Sequence, residues 1–139
     1  MTTECGVHKL VADVSLFFDE KVLVVKYRDT SNYNGEPGWF LPDDLLHHLE
    51  HPEAAARRIL QEQVSLSTPQ LTLALIESFK GNDDTWHMTF HYKVSLPQLP
   101  QITPGENVKE AQWFSLDNLP PESDIAHHGW ALTVLNRIQ

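Results

Sequence analysis

The feature that most constrains the fold is a helix signal near the middle of the chain. Pro52 stands where a helix can begin, because the fixed φ of proline suits the first helical position. The residues from Glu53 to Val64 are good helix formers, and Glu53 adds negative charge near the positive end of the helix dipole. The residues that end the pattern are Ser65, Ser67 and Pro69. The sequence therefore predicts one helix over residues 53–64.

A short strand, Trp39–Leu41, is predicted before this helix. Pro42 ends the strand because proline has no N–H to donate to a sheet ladder. Residues 43–51 are then predicted to form a polar loop, in which aspartate side chains can support turns.

The remaining chain predicts two hairpins, a further strand and a closing helix. The first hairpin joins residues 7–18 to residues 22–26 through a polar turn, and the second joins residues 67–80 to residues 85–95 through a turn at 81–84. A proline-rich loop, residues 96–104, is followed by a further segment, and a helix from Asp124 to Ile138, capped by Ser123 or Asp124, closes the chain. The predicted element order is strand, strand, strand, helix, strand, strand, strand, helix.

Alternation in the strand over residues 85–95 divides its side chains between two faces. Met88, Phe90, Tyr92 and Val94 would face the core. The row of His87, His91 and Lys93 lies opposite, and we interpret it as solvated exterior, with a ligand groove as the alternative. In the closing helix, Trp130 is interpreted as a core residue.

Composition restricts the function classes. The 139 residues fit one domain, 1–139, and the formal charge of −9 argues against binding a nucleic acid polymer or an anionic membrane surface. The N-terminus lacks the pattern of a signal peptide, and no apolar run could span a bilayer. One cysteine, Cys5, excludes an internal disulfide. We expect a cytoplasmic protein.

Positions 44–66 resemble the Nudix box, G-x5-E-x7-R-E-U-x-E-E-x-G-U, where U is a bulky aliphatic residue. The matching residues are Glu50, Arg58, Leu60, Glu62 and Leu66. The departing residues are Asp44 and Ser65 in place of the two glycines, and Ile59 and Gln63 in place of two glutamates. A second stretch resembles the same family independently, through Glu110, Trp113, Phe114, Leu116, Leu119 and Pro120.

The resemblance implies an α/β fold, the Nudix fold, with a mixed β-sheet sandwiched between α-helices. It also implies a hydrolase of a nucleoside diphosphate linked to another moiety, with Mg²⁺ or Mn²⁺ as cofactor. In relatives, carboxylates at positions equivalent to 59, 62 and 63 hold the metals. The resemblance makes Glu106 and Glu110 candidates for an added metal ligand, and gives Glu50, Arg58 and Leu60 structural roles.

The substitutions within the box alter its chemistry. Positions 59, 62 and 63 share one helix face, and three carboxylates there would make a hard, oxygen-rich metal site. This chain keeps the catalytic candidate Glu62, while Gln63 offers a neutral carbonyl oxygen and Ile59 offers no ligand atom.

The loop before the helix suggests an alternative metal site. Asp43, Asp44, His47 and His48 combine carboxylate and imidazole, which would suit a transition metal rather than Mg²⁺. The other interpretation is a polar surface loop.

Three functions therefore remain open. The favoured hypothesis is a non-catalytic or very weak Nudix relative that binds a nucleotide-like ligand or a protein partner, because each lost catalytic group commonly costs ~10²–10⁴ in rate. The alternatives are a hydrolase with rearranged metal ligands and a different chemistry at the histidine-rich loop. The resemblance also leaves a homodimer possible.

Overall fold

The computed structural model describes residues 8–33, 35–67, 70–81 and 84–138. The predicted positions that lie outside these ranges are Cys5, Val7, Pro69, Asn82 and Asp83. The strands are β1 His8–Phe18, β2 Lys21–Tyr27, β3 Asp43–Leu45, β4 Thr72–Lys80, β5 Trp86–Ser95 and β6 Val108–Ser115. The helices are α1 Pro52–Val64 and α2 Ala126–Ile138.

One mixed sheet joins all of these strands. The order is β4-β5-β1-β2-β6, and β3 pairs with β1 beside β2. The β1–β5 pair is parallel, whereas the pairs β1–β2, β1–β3, β2–β6 and β4–β5 are antiparallel. The turn between β1 and β2 has positive φ at Asp19 and Glu20, as expected for a two-residue hairpin turn. Both predicted hairpins are confirmed.

Each face of the sheet packs against one helix. Leu60 and Val64 of α1 pack with Leu23 and Val25 on one face. Val134 and Leu135 of α2 belong to a second cluster, which contains Val22 and Val24 of the opposite face. The predicted sandwich is confirmed, and side chains that alternate along β2 are buried on both sides of the sheet.

Helix α1 agrees with the sequence prediction, and the structure adds detail at both ends. Pro52 is the first helical residue, and His51 before it accepts a hydrogen bond from the Glu53 N–H through its side chain. Ser65 ends the helix in a left-handed conformation, with φ of 57°.

The prediction of a strand at Trp39–Leu41 was wrong. Phe40 bridges Val25 of β2, while Trp39 bridges Ile125 before α2, so the segment divides its backbone bonds between two neighbours. The strand lies just after Pro42 instead, in β3, within the segment predicted to be a loop. Aspartates are poor strand formers, but here the Tyr27 hydroxyl and Arg58 bind Asp43 and Asp44.

The prediction of a regular closing helix was wrong in its first turn. His127, His128 and Gly129 all have left-handed backbone angles, and φ is 54° and 55° at the two histidines. Among the described residues, neither Ser123 nor Asp124 caps α2 with its side chain, and both lie in the 3-10 turn Glu122–Asp124 that precedes the helix. The Asp124 carbonyl accepts the Trp39 N–H at 2.9 Å. A side chain at position 129 would displace a neighbour, because a Cβ on Gly129 would lie 2.5 Å from the Glu122 side chain.

Within the described ranges, the structure contains no helix whose length and apolar character would allow it to cross a lipid bilayer.

Candidate ligand site and the box helix

Arg58 organises the region between α1 and β3. Its guanidinium donates to both carboxylate oxygens of Glu50, at 2.9 and 3.0 Å, and to the Asp44 carboxylate at 3.0 Å. It also donates to the Leu45 carbonyl at 3.0 Å. The hydrogen bond from Arg58 is the main reason why the pKa of Glu50 falls to about 2. The predicted structural pairing of Glu50 with Arg58 is therefore present, and it ties the loop to the helix.

Gln63 is held by hydrogen bonds at both ends of its amide. Its Nε2 donates to the Asp43 carbonyl at 2.8 Å, and its Oε1 accepts from the Tyr27 hydroxyl at 2.8 Å. Burial raises the pKa of Tyr27, so the phenol keeps its proton and can donate. The Gln63 side chain thus links α1 to β2 and β3, and its carbonyl oxygen accepts a hydrogen bond from the Tyr27 hydroxyl.

Ile59 and Glu62 have opposite surroundings although they lie three residues apart. Ile59 is fully buried and belongs to a small cluster with Ala12, Ala55 and the partly buried Leu46. The Glu62 carboxylate is more than half exposed and lies 3.4 Å from Arg58. The position of Ile59 has thus become part of the core, which explains why an aliphatic side chain is stable there.

Glu106 and Glu110 lie in different places relative to Glu62. The N–H of Gly105 donates to the Gln63 carbonyl at 2.8 Å, which places Glu106 next to the end of α1. Glu110 pairs with Lys26 across the β2–β6 ladder, at 3.8 Å. Lys26 lies over Trp39, on the α2 side of the sheet. Glu110 therefore lies on the α2 side of the sheet, whereas Glu106 follows a residue that is bonded to the end of α1.

The histidine-rich loop has separate roles for its members. His51 caps α1, and the His47 N–H donates to Glu50 at 3.0 Å. The side chains of His47 and His48 are exposed. In residues 8–33, 35–67, 70–81 and 84–138, no three histidine, cysteine, aspartate or glutamate side chains are grouped so that they could hold a metal ion.

A pocket of about 570 Å³ lies between the sheet and the start of α2. Its sheet side includes Lys9 and Val11 of β1 and His87 and Thr89 of β5, and its floor reaches Asp43. The opposite side is formed by residues of the left-handed turn and the segments near it, including His127, His128, Trp130, Phe40 and Glu36. Phe79, at the end of β4, is an exposed aromatic residue on its rim. The pocket combines aromatic surface with basic groups.

The comparisons with known proteins identify the family. A family model described as NUDIX domain matches residues 7–133. The chain belongs to the Nudix family. Among curated proteins, none matches this sequence.

Solved Nudix structures share the fold at low sequence identity. A MutT Nudix hydrolase from Burkholderia pseudomallei superposes with a TM-score of 0.77 at 18% identity, covering 95% of this chain and 98% of that one. The Nudix domain of Shewanella oneidensis NrtR, solved with ADP ribose, gives 0.73 at 20% identity over 97% and 88% of the two chains. A bifunctional NMN adenylyltransferase/ADP ribose pyrophosphatase from Francisella tularensis gives 0.72 at 19%, over 99% of this chain and 43% of that one.

The residues at the box positions do not fit the metal cluster that the Nudix resemblance implies. Ile59 contributes only carbon atoms and is buried, Gln63 has both ends of its amide engaged within the protein, and Glu62 adjoins the Arg58 cation. A divalent cation needs several oxygen ligands, mostly anionic, that converge on one point. The described residues of this Nudix chain provide one such carboxylate on the helix face.

Sequence analysis missed a buried charged network on the α2 side of the sheet. His91 Nδ1 lies 2.6 Å from Asp13, and its Nε2 lies 2.6 Å from Glu77. Arg137 of α2 donates to Glu77 at 2.7 Å. Burial alone would lower the pKa of His91, but hydrogen bonds and charges from Asp13 and Glu77 raise it instead. We infer that the imidazole is protonated and donates to both carboxylates.

This network corrects the interpretation of the β5 row as solvated exterior. His91 is fully buried, and the Lys93 ammonium donates to the Ile138 carbonyl at 3.0 Å, under the end of α2. His87 lines the pocket, and the ligand groove that was the alternative for this row stays a prediction. Trp130, interpreted as a core residue, packs against both core clusters, and its partly exposed side chain also lines the pocket. An aspartate inside an apolar strand, Asp13, was the sequence signal for a buried polar partner.

Proposed function

We propose that this protein is a Nudix domain that binds a nucleotide-like ligand in the pocket between the sheet and α2, with little or no metal-dependent hydrolysis. The observation that carries the proposal is the locked amide of Gln63, which accepts from Tyr27 and donates to Asp43 at 2.8 Å each. This group forms part of the scaffold, and a metal that displaced the Tyr27 hydroxyl from its oxygen would break a buried hydrogen bond, at a cost of about 1–3 kcal/mol.

The pocket supports the binding half of the proposal. Its volume of about 570 Å³ is within the range of small-molecule sites. Exposed Phe79 and partly buried Trp130 offer flat aromatic surface on which a base can stack. The Nudix domain of NrtR, which shares this fold, was solved with ADP ribose. A ligand of that kind, with an aromatic base and phosphates, is the one we propose for this chain.

A second candidate function has one observation in its favour. The hydrogen bond from the Gly105 N–H to the Gln63 carbonyl brings Glu106 beside the end of α1, close to the exposed Glu62. Two carboxylates there could recruit Mg²⁺ or Mn²⁺ when a diphosphate supplies further oxygens. This version is a hydrolase with rearranged ligands, and it depends on Glu62.

The test is a calorimetric titration with ADP-ribose, performed once in EDTA and once in Mg²⁺. We expect equal affinity in the two buffers, within a factor of ~2, because the ligand contacts protein groups rather than a metal. Phe79→Ala should weaken binding ~10-fold by removing a stacking surface. The matched control is Ile76→Ala, which removes an exposed apolar side chain from the same strand, outside the pocket.

A phosphate-release assay completes the test. We expect release in Mg²⁺ or Mn²⁺ to be no faster with the natural protein than with Glu62→Gln. Mg²⁺-dependent release that Glu62→Gln abolishes would replace the proposal with the hydrolase alternative. Absence of ADP-ribose binding in both buffers would remove the nucleotide-like ligand and leave the protein-partner form of the hypothesis.

A further inference from the structure

The pocket has a basic wall, which we define as Lys9, His87, His127 and His128. Lys9 and His87 are direct cross-strand partners in the β1–β5 ladder, so their side chains leave the sheet on the same face. Phe79 pairs with His87 across the β4–β5 ladder, and the two rings lie 5.2 Å apart. The strands β1 and β5 thus place Lys9 and His87 side by side on the same face of the sheet.

Local structure makes room for His87. A Cβ on Gly81 would lie 2.6 Å from His87 Nε2, so any other residue at position 81 would force the imidazole to move. The Gly81 N–H donates to the Thr85 carbonyl at 2.8 Å, which holds this glycine close to the end of β5. The position of the His87 ring therefore depends on the absence of a side chain at position 81.

The other half of the wall has a strained backbone. His127 and His128 are both left-handed, a conformation that costs a residue with a Cβ roughly 1–2 kcal/mol. The His127 ring is held edge-on to Phe40, with centroids 5.8 Å apart. Strain of this kind persists only where surrounding structure imposes it, and it concentrates at functional sites. Here both strained residues line the pocket.

Lys9 contributes a positive charge to the wall, in a protein whose formal charge is −9, and the three imidazoles add to it when they are protonated. Burial lowers the pKa of His127 and the nearby charges of His87, His128 and Lys9 lower it further, while Glu36 acts in the opposite direction. Neighbouring basic groups repel one another when they are protonated. An anion bound between them offsets this repulsion and stabilises the protonated forms.

The acidic groups at the pocket do not cancel this positive charge. Asp44 is paired with Arg58 at 3.0 Å. Burial, with a further contribution from Asp13, raises the pKa of Asp43 well above its ordinary value, which favours the neutral form. Among the described residues of this lining, Glu36, 3.9 Å from His127, is the remaining carboxylate.

We propose that the basic wall binds a phosphoryl group of the ligand directly, without a bridging metal ion. This inference rests on the proposed function and specifies how the nucleotide-like ligand is held. In a diphosphate that links two moieties, as in ADP-ribose, each phosphoryl group is ionised at neutral pH, and its non-bridging oxygens accept hydrogen bonds. Imidazolium and ammonium groups on facing elements can donate to those oxygens simultaneously. In this site, protein cations take the charge-neutralising role that a divalent ion would otherwise have.

The test uses inorganic pyrophosphate in EDTA, titrated by calorimetry at about pH 6 and about pH 8. We expect binding at the lower pH to be at least ~10-fold tighter, because the anion favours protonated histidine. The variant His127→Asn/His128→Asn should lose ~10-fold or more in affinity at the lower pH. Its fold should persist, because asparagine tolerates the left-handed conformation.

The matched control is His47→Asn/His48→Asn, which makes the same change at two exposed histidines outside the pocket. We expect its pyrophosphate affinity to equal that of the natural protein. Lys9→Met is a second variant, which removes one charge of the wall while keeping an unbranched side chain, and it should also weaken binding. If the double variant at the wall unfolds, Lys9→Met alone decides the result.

The outcomes separate this inference from the proposed function. Pyrophosphate binding that is unchanged in the wall variants would overturn the inference, as would ADP-ribose binding without any pyrophosphate binding. In both cases the nucleotide-like ligand would stand. If neither compound binds, both proposals fail. Adenosine, which lacks phosphate, should bind the natural protein and the wall variants equally.

Discussion

The basic side chains in two regions of the molecule have different surroundings. On the α1 side, the Arg58 cation is surrounded by protein acceptors, with Glu50, Asp44 and the Leu45 carbonyl all within 3.0 Å. On the α2 side, Lys9, His87, His127 and His128 surround a cavity of about 570 Å³. The comparison indicates that the cation of the box helix is neutralised within the protein, whereas the basic groups of the pocket line a cavity, which reaches the box segment at Asp43 and Asp44. Our proposal places ligand recognition in that cavity.

The largest effect should come from the α1 side. Arg58→Ala leaves Glu50 and Asp44 as unpaired carboxylates in a largely buried position, so we expect a loss of about 3 kcal/mol in the free energy of unfolding, measured by urea denaturation. Arg57→Ala is the neighbouring control, since Arg57 pairs with Glu53 at 3.4 Å in a more exposed setting, and it should cost less than about 1 kcal/mol. Equal losses would show that Arg58 does not organise the box.

A similar loss is expected beneath the pocket. His91→Gln leaves Asp13 and Glu77 without the imidazolium that now lies 2.6 Å from each, and should cost about 2–3 kcal/mol near neutral pH. The control His47→Gln changes an exposed histidine and should stay within about 0.5 kcal/mol. If His91→Gln left the free energy of unfolding unchanged, the network would contribute little net stability.

The pH dependence should identify the protonated form of His91. Its pKa is raised in the folded protein, so above about pH 6.5 the unfolded chain releases a proton that the folded chain keeps. The free energy of unfolding should therefore fall as pH rises from there through the folded pKa of His91. We expect this fall to be smaller in His91→Gln. Identical pH slopes for the two proteins would contradict a protonated His91.

A smaller effect, of opposite sign, is expected at the pocket wall. His128→Gly relieves a left-handed conformation but adds the backbone entropy of glycine, so stability should stay equal or rise by up to about 1 kcal/mol. Asn136→Gly, at an exposed position in the regular part of α2, should instead cost about 0.5 kcal/mol. Thermal unfolding of both variants measures the difference. A clear loss at His128 would mean that its backbone is not strained.

Local signals predicted α1 and both hairpins, since Pro52, the run of helix formers and the turn at Asp19–Glu20 act through neighbouring residues. They failed where tertiary contacts decide. Alternation along β5 correctly grouped His87, His91 and Lys93 on one face, but it carries no information on what covers that face, which is α2. The strand at Asp43 and the left-handed turn at His127 likewise depend on partners distant in the sequence.

The box itself could be interpreted only partly from its residue types. The pairing of Glu50 with Arg58 followed from the pattern, because both residues match it. The burial of Ile59 and the bonds of Gln63 to Tyr27 and Asp43 did not, since they require β2 and β3 to be in place. The pocket residues come from strands, loops and a helix separated by long stretches of chain, which no local pattern connects.

The measurement that tests the central claim most directly is a Mn²⁺ titration of the natural protein beside Glu62→Gln, followed by calorimetry. If the box helix retains a scaffold without a metal site, neither protein should bind Mn²⁺ more tightly than the millimolar range, and the two titrations should be indistinguishable. Specific, tighter binding by the natural protein that Glu62→Gln removes would contradict the account. It would show that the exposed carboxylate on α1 still holds a metal ion.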